Sequence, residues 1–431
     1  MSPAYLLYNA ILHLALPVAA AGAALRGRLQ GHWPQRLGLA PRLTRSNRGR
    51  VWIHAASVGE VRVAASLIQA LTKRAPDLTI WLTATTSTGL SAARSSLPCP
   101  VFAFPLDAFG SPGRALSRLQ PDLVIVLETE LWPNFLKAAK EGGAKVMLAN
   151  GRISIRSVKG YRKVGFLIRE VLEHLDLMAM IRPEDADRII SLGASPARVR
   201  VEGNAKYDLL WERADFERLE YFRRSLGLDR ARPVLVAGST RSGEEAQVLE
   251  AYLRLRDEFP NLHLIIAPRH VERSREIENL IRRRGCSWAR RTRADQTPLP
   301  APDVTLVDVM GELFFLYGLA NAAFCGGSLV KRGGQNPLEP AVWGVPVLYG
   351  PSMEDFLDAR ELLEASGAGR AVTGPDDLYE AVRELLADSE KARSLGQAGR
   401  RALAGHQGAA GRLADLALNL LAMDKGRPTC Y

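Results

Sequence analysis

The chain has 431 residues, 47% of them hydrophobic, and a formal net charge of +11, which predicts two domains because one core rarely grows to this size. Its four cysteines (Cys99, Cys286, Cys325, Cys430) lie far apart with no CxxC, and no His pair has ligand spacing, which excludes a zinc module and a disulfide framework. The basic residues are not interleaved with aromatics and no nucleic-acid module is present, so the positive charge points to an anionic membrane or a phosphorylated substrate.

In chain order, Ser2–Leu25 is free of charge and long enough to cross a bilayer core. Arg26, Arg28, Arg36, Arg42, Arg45, Arg48 and Arg50 follow with no acid before Glu60, the pattern of a flank held on the cytoplasmic side. The reading is a membrane anchor in residues 1–30, spanning or lying in the interface. A helix packed on the body is the alternative, since Asn9, His13 and Pro17 dilute the stretch. Apolar runs then alternate with helical stretches: 51–56, 78–85, 100–105, 122–129 and 144–150, with an amphipathic helix at 60–75. This pattern predicts a parallel sheet covered on both faces. It stops near residue 208, a charged hinge is placed at 209–230, and a second series follows at 232–239, 262–268, 303–309, 321–326 and 345–350. The helical stretches of 375–423 either complete the second domain or cross back to the first.

In doubly wound sheets, ligands bind beyond the carboxyl ends of the strands, and most unusual segments fall there. Glu60 opens a helix after the first strand, either as a dipole-complementing carboxylate or as a base for a substrate hydroxyl. Glu128 and Glu130 follow the fourth strand, and alternation predicts that they share a face. Lys206 is either a surface lysine or a partner for developing negative charge. "GSTRSGEE" (238–245) reads as a small phosphate-binding turn, although it lacks a Walker GK[ST]. In "GGSLVKRGGQNPLEPA" (326–341), Gly333 and Gly334 are read as admitting a phosphate. Asn336 and Pro337 start a helix there, and Glu339 accepts from ribose hydroxyls.

Seven segments, "HAASVGE", "ETELWPN", "GNAKYD", "GSTRSGEE", "APRH", "VMGELFFLYG" and "GGSLVKRGGQNPLEPA", stand in the order and spacing of the 3-deoxy-D-manno-octulosonic acid (Kdo) transferases, which the chain resembles over about residues 1–410. The resemblance implies an α/β enzyme of the GT-B class, with two Rossmann-like domains facing a central cleft and an N-terminal membrane-anchor helix. The acceptor domain would be 31–208, the donor domain 231–405, and the C-terminal helix and tail 406–431. It implies an inverting glycosyltransferase that moves Kdo from CMP-Kdo to the lipid A precursor (lipid IVA) at the cytoplasmic face of the inner membrane, near anionic lipids, with no metal or cofactor. By the same resemblance Glu60 is the general base, and Glu130 and Lys206 stabilise the transition state. Pro268, Arg269, Met310, Gly311, Glu312, Asn336, Pro337, Leu338 and Glu339 bind CMP. The chain departs from the family pattern at Gln335 and Arg241, where His is expected. Two other readings are a GT-B nucleotide-sugar epimerase, which would need no anchor, and an inactive membrane adaptor, which the presence of Glu60, Glu130, Lys206 and Glu339 disfavours.

Overall fold

The computed structural model describes residues 2–25, 32–41, 49–108, 110–294 and 302–423. Arg26, Arg28, Arg42, Arg45, Arg48 and Cys430 lie outside them. The chain divides into two compact units, one of residues 1–209 with 406–431 and one of residues 210–405.

The first unit is built on a seven-stranded parallel sheet: β1 (Arg50–Ala55), β2 (Thr79–Ala84), β3 (Val101–Ala103), β4 (Leu123–Leu127), β5 (Lys145–Gly151), β6 (Leu177–Met180) and β7 (Val199–Val201). Their order is β3-β2-β1-β4-β5-β6-β7. The inner strands are mostly apolar because helices cover both faces, with buried polar exceptions such as His54 and Thr83. Trp52, Val124 and Val126 pack with Trp81 and Phe135 on one face; Val51, Ile53 and Ile125 pack with Leu67 and Leu71 on the other. The last helix, Ala409–Met423, belongs to this second face. Its Ala410, Leu413, Ala414, Ala417 and Leu421 recur at helical spacing, and all are buried against the first sheet. The chain thus returns to the first unit after completing the second.

The N-terminal helix, Pro3–Leu25, is docked on the first unit by its opening turns. Tyr5 is 1% exposed and its hydroxyl donates to the Pro133 carbonyl at 3.2 Å. The Tyr8 hydroxyl donates to Asp107 at 2.9 Å, and the Asn9 side chain bonds Asn134. Among the described residues no helix is long and apolar enough to cross a membrane.

The second unit repeats the plan with β8 (Val234–Thr240), β9 (His263–Pro268), β10 (Trp288–Arg290), β11 (Val304–Leu306), β12 (Ala322–Cys325), β13 (Val347–Tyr349) and β14 (Gly369–Ala371). These form a parallel sheet in the order β10-β11-β9-β8-β12-β13-β14. The charged segment read as a hinge folds in part as the helix Phe216–Ser225, capped by Asp215 and burying Leu219 and Phe222.

Candidate active site

In the first sheet the strand order reverses between β1 and β4, with β2 and β3 on one side of β1 and β4 to β7 on the other. Connections that leave in opposite directions open a crevice beyond the carboxyl ends of those strands. The segments carrying Glu60 and Glu130 emerge there.

Glu60 lies in the first turn of the helix Val58–Arg74, whose N-cap is Ser57. The Ser57 hydroxyl donates to Glu60 Oε1 at 2.9 Å, the Ala56 N–H donates to Oε2 at 2.8 Å, and Ser57 Oγ accepts the Glu60 N–H at 3.4 Å. This is a variant of the capping box in which the side chain reaches the N–H one residue before the cap, so Glu60 does cap its own helix. It is also 6% exposed, and burial pushes its carboxyl up to about 7, aided by the negative charges of Glu130 and Glu128 and opposed by the Ala56 and Ser57 donors. The capping and base readings therefore describe one residue. Each carboxylate oxygen keeps a second lone pair, and a proton affinity near neutrality suits a general base.

The alternation from which Glu128 and Glu130 were expected to share a face does not hold, although both charges act on Glu60. β4 ends at Leu127, and Glu128 takes φ 54, which breaks the alternation. Glu128 Oε1 accepts from Lys206 Nζ at 2.6 Å. Glu130 Oε2 accepts from Trp132 Nε1 at 2.7 Å and lies 3.6 Å from His54 Nε2. Burial raises the Glu130 carboxyl, but His54 and the Trp132 N–H outweigh it and hold it below its usual value. Lys206 is placed by two asparagines: Asn204 Oδ1 accepts the Lys206 N–H at 3.0 Å, and Asn150 Oδ1 accepts the Ala205 N–H at 2.8 Å. A Cβ on Gly59 would meet Lys206 Nζ at 3.8 Å, so the ammonium stands beside the helix start that carries Glu60.

In the second unit the donor-side residues also follow strand ends: Pro268 and Arg269 at β9, Met310, Gly311 and Glu312 after β11, and Asn336, Pro337, Leu338 and Glu339 after β12. Arg269 and Met310 are exposed, and Gly311 has φ 92 with no atom within 4 Å of an added Cβ. Glu312 is held 2.9 Å from the buried Arg291. Asn336 Oδ1 accepts the Leu338 N–H at 3.2 Å at the start of the five-residue helix Leu338–Val342. Glu339, half-buried on that helix, adds to the burial that keeps the Tyr317 hydroxyl protonated.

Two donor-side segments also have roles within the chain itself. In the turn of "GSTRSGEE" the chain's own carboxylates take the Arg241 N–H and the Thr240 hydroxyl. Glu244, fully buried, accepts the N–H groups of Arg241 (2.8 Å), Gly327 (2.6 Å), Ser328 (2.9 Å) and Leu329 (2.9 Å). Glu245 likewise binds Thr240 Oγ1 and Arg273. Gly333 and Gly334, at φ 77 and φ 80, are required by the chain itself: a Cβ would strike Asp355 at 2.4 Å or Met353 Sδ at 2.4 Å. Gln335 is half-buried in the same loop, and Arg241 bonds His270 at 2.7 Å.

Sequence reasoning passed over His54, Asn150 and Glu244 as functional residues. His54 stood within the quoted "HAASVGE", but its partner is a residue on another strand's exit. The positive φ of Asn150 (54) has no signature in the sequence beyond asparagine's tolerance of that region.

The solved UDP-GlcNAc 2-epimerase of Neisseria meningitidis, bound to UDP-GlcNAc, superposes with a TM-score of 0.57 at 14% identity, covering 87% of this chain and all of that one. That likeness, with the two parallel sheets and strand-end residues, defines an α/β protein with the fold of GT-B enzymes. The family follows from sequence. The 3-deoxy-D-manno-octulosonic-acid transferase (kdotransferase) model matches residues 31–209. The Haemophilus influenzae 3-deoxy-D-manno-octulosonic acid transferase is 36% identical over 85% of this chain and 86% of its own length. The Bordetella pertussis enzyme is 33% identical over 90% and 92%. The chain belongs to the Kdo transferase family, a family of glycosyltransferases.

Proposed function

We propose that this chain moves Kdo from CMP-Kdo to the lipid A precursor lipid IVA by direct inverting displacement at the cytoplasmic face of the inner membrane. The observation that carries the reading is Glu60, a buried carboxyl brought to about 7 at the switch point of the first sheet, with Glu128, Glu130 and Lys206 around it. The acceptor hydroxyl gives its proton to Glu60 as its oxygen bonds the anomeric carbon of Kdo. The bond from that carbon to the CMP phosphate oxygen breaks, and its electron pair leaves with CMP. Lys206 and Glu130 shape the charge around the reacting centre. In the second unit, Arg269 and the segment Asn336–Glu339 hold CMP, with Glu339 accepting from ribose hydroxyls.

The N-terminal helix supports attachment along a membrane surface. Its docked face leaves Leu6, Leu7, Ile11 and Leu14 exposed at 54–79%. Phe166, on the neighbouring helix Gly165–Glu173, is exposed too, and Lys159, Arg162, Lys163 and Arg169, near it in sequence, are also exposed. Apolar residues beside basic ones fit an anionic bilayer surface.

Incubating the purified protein with CMP-Kdo and lipid IVA, then weighing the lipid by mass spectrometry, tests the reaction. A gain in lipid mass corresponding to added Kdo, with release of CMP, is expected; an unchanged lipid would overturn the reading.

A further inference from the structure

His54 is an interior residue of β1, fully buried, and its ring stacks on Phe104 with centroids 3.7 Å apart and planes 20° from parallel. One edge of the ring is fixed by hydrogen bonding. Nδ1 lies 3.1 Å from the Thr83 carbonyl oxygen and 3.1 Å from Thr83 Oγ1. A carbonyl oxygen only accepts, so Nδ1 carries hydrogen. Thr83 is itself pinned, because its Oγ1 accepts from Trp52 Nε1 at 2.8 Å.

The other edge faces Glu130. Nε2 makes no hydrogen bond, which is uncommon for a buried ring nitrogen, and it lies 3.6 Å from Glu130 Oε2. Tilting the ring would lose the stack on Phe104, and a half-turn in its own plane would lose the bond to Thr83. A bare lone pair on Nε2 would repel the carboxylate, whereas an N–H there would attract it. Trp132 Nε1 acts on the same Oε2, and among the described residues no hydrogen bond falls on Oε1. Trp132 thus bonds, and His54 Nε2 lies beside, one oxygen of Glu130, and the other is left to meet a ligand.

We propose that His54 is a positioning residue for Glu130: clamped to Thr83 through Nδ1–H and carrying hydrogen on both nitrogens as an imidazolium, it presents an Nε2–H that sets the orientation of the Glu130 carboxylate used in sugar transfer. The proposal rests on Glu130 acting in that reaction.

Two substitutions separate this role from a core role. The amide nitrogen of glutamine can take the place of Nε2, and that of asparagine the place of Nδ1. His54→Gln keeps the donor toward Glu130 and loses the bond to Thr83; His54→Asn does the reverse. Turnover is read with CMP-Kdo and lipid IVA, CMP affinity by calorimetry, and folding by thermal unfolding. His54→Asn should lower turnover ~10- to 100-fold with CMP affinity unchanged, as small misplacements of a working group do. His54→Gln should recover most of the loss. In a Glu130→Gln background, His54→Asn should have no further effect.

If His54→Asn works at the wild-type rate while Glu130→Gln is slow, or if their losses multiply, the proposal is overturned and the role of Glu130 stands. If Glu130→Gln itself works at the wild-type rate, the role of Glu130 falls and the proposal with it. Should the His54 variants fail to fold, nitrogen NMR of the unsubstituted ring decides. An Nε2–H signal that moves on Glu130→Gln supports the proposal, and an Nε2 without hydrogen overturns it.

Discussion

The Lys206 ammonium is paired with Glu128 at 2.6 Å, while Glu130, two residues further on, is turned toward His54. The positive charge therefore offsets the acid nearest the exit of β4. The Glu128 charge is one of those raising Glu60, so losing its partner should act on the base.

Lys206→Met should lower turnover by ~10²–10³, the usual loss when a charge-stabilising donor is removed. Glu128 then stands uncompensated, so the acidic limb of the pH–rate profile should move above its position near 7. Both partners are partly exposed, at 33% and 20%, so stability should fall by no more than about 1 kcal/mol. A kinetic pH titration with parallel urea unfolding checks both; an unmoved limb and full turnover would contradict the pairing's role.

Glu60 also makes a prediction about stability. Its carboxyl ordinarily titrates at 4.5 but is raised to about 7 in the fold. Between those values the folded state holds a proton that the unfolded state has released, so this contribution falls as pH rises and is fully lost above about 7. The size is on the order of 3 kcal/mol. Glu60→Gln has no such proton to lose, so its stability relative to wild type should increase from about pH 5 to about pH 8 in urea unfolding. The raised carboxyl of Asp107, present in both proteins, cancels in the comparison. A constant difference across that range would show that Glu60 is not raised.

Glu244→Ala should remove at once the acceptor for the N–H groups of Arg241, Gly327, Ser328 and Leu329. Each buried unpaired donor costs about 1–3 kcal/mol, less what entering water restores, so a loss of at least ~3 kcal/mol is expected. CMP binding should weaken with it, because the loop after β12 loses its support. Chemical unfolding and calorimetry read the two effects; a fully stable variant with intact CMP affinity would contradict this role.

Most inner strands were legible in the sequence as largely apolar runs, and β1, β4 and β9 fall within a few residues of their expected positions; β6, only four residues although all are apolar and buried, and the three-residue β10 were not read. The edge strands β7 and β14 were not read. Each has three residues, two of them exposed, so no apolar run marks them. At the site, residue types were legible but their pairings were not. The partner of Glu130 depends on the left-handed turn at Glu128, and the carboxylate filling the loop after β12 comes from 83 residues earlier. No local pattern encodes either.

For the membrane face, Ile11→Asp with Leu14→Asp should weaken binding to vesicles containing anionic lipid. Both residues are exposed, at 58% and 79%, so the melting temperature should hold. Vesicle flotation gives the result directly, and undiminished flotation would place the contact elsewhere.

The central claim is that Glu60 takes the proton of the attacking hydroxyl, and turnover of Glu60→Gln tests it most directly. Glutamine can still accept from the Ala56 N–H through its oxygen, with the Ser57 hydroxyl turned to accept from its NH2, but it cannot take up the proton. With CMP-Kdo and lipid IVA as substrates, turnover should fall ~10²–10⁴ while CMP affinity is unchanged. A Glu60→Gln protein that turns over near the wild-type rate would contradict the account.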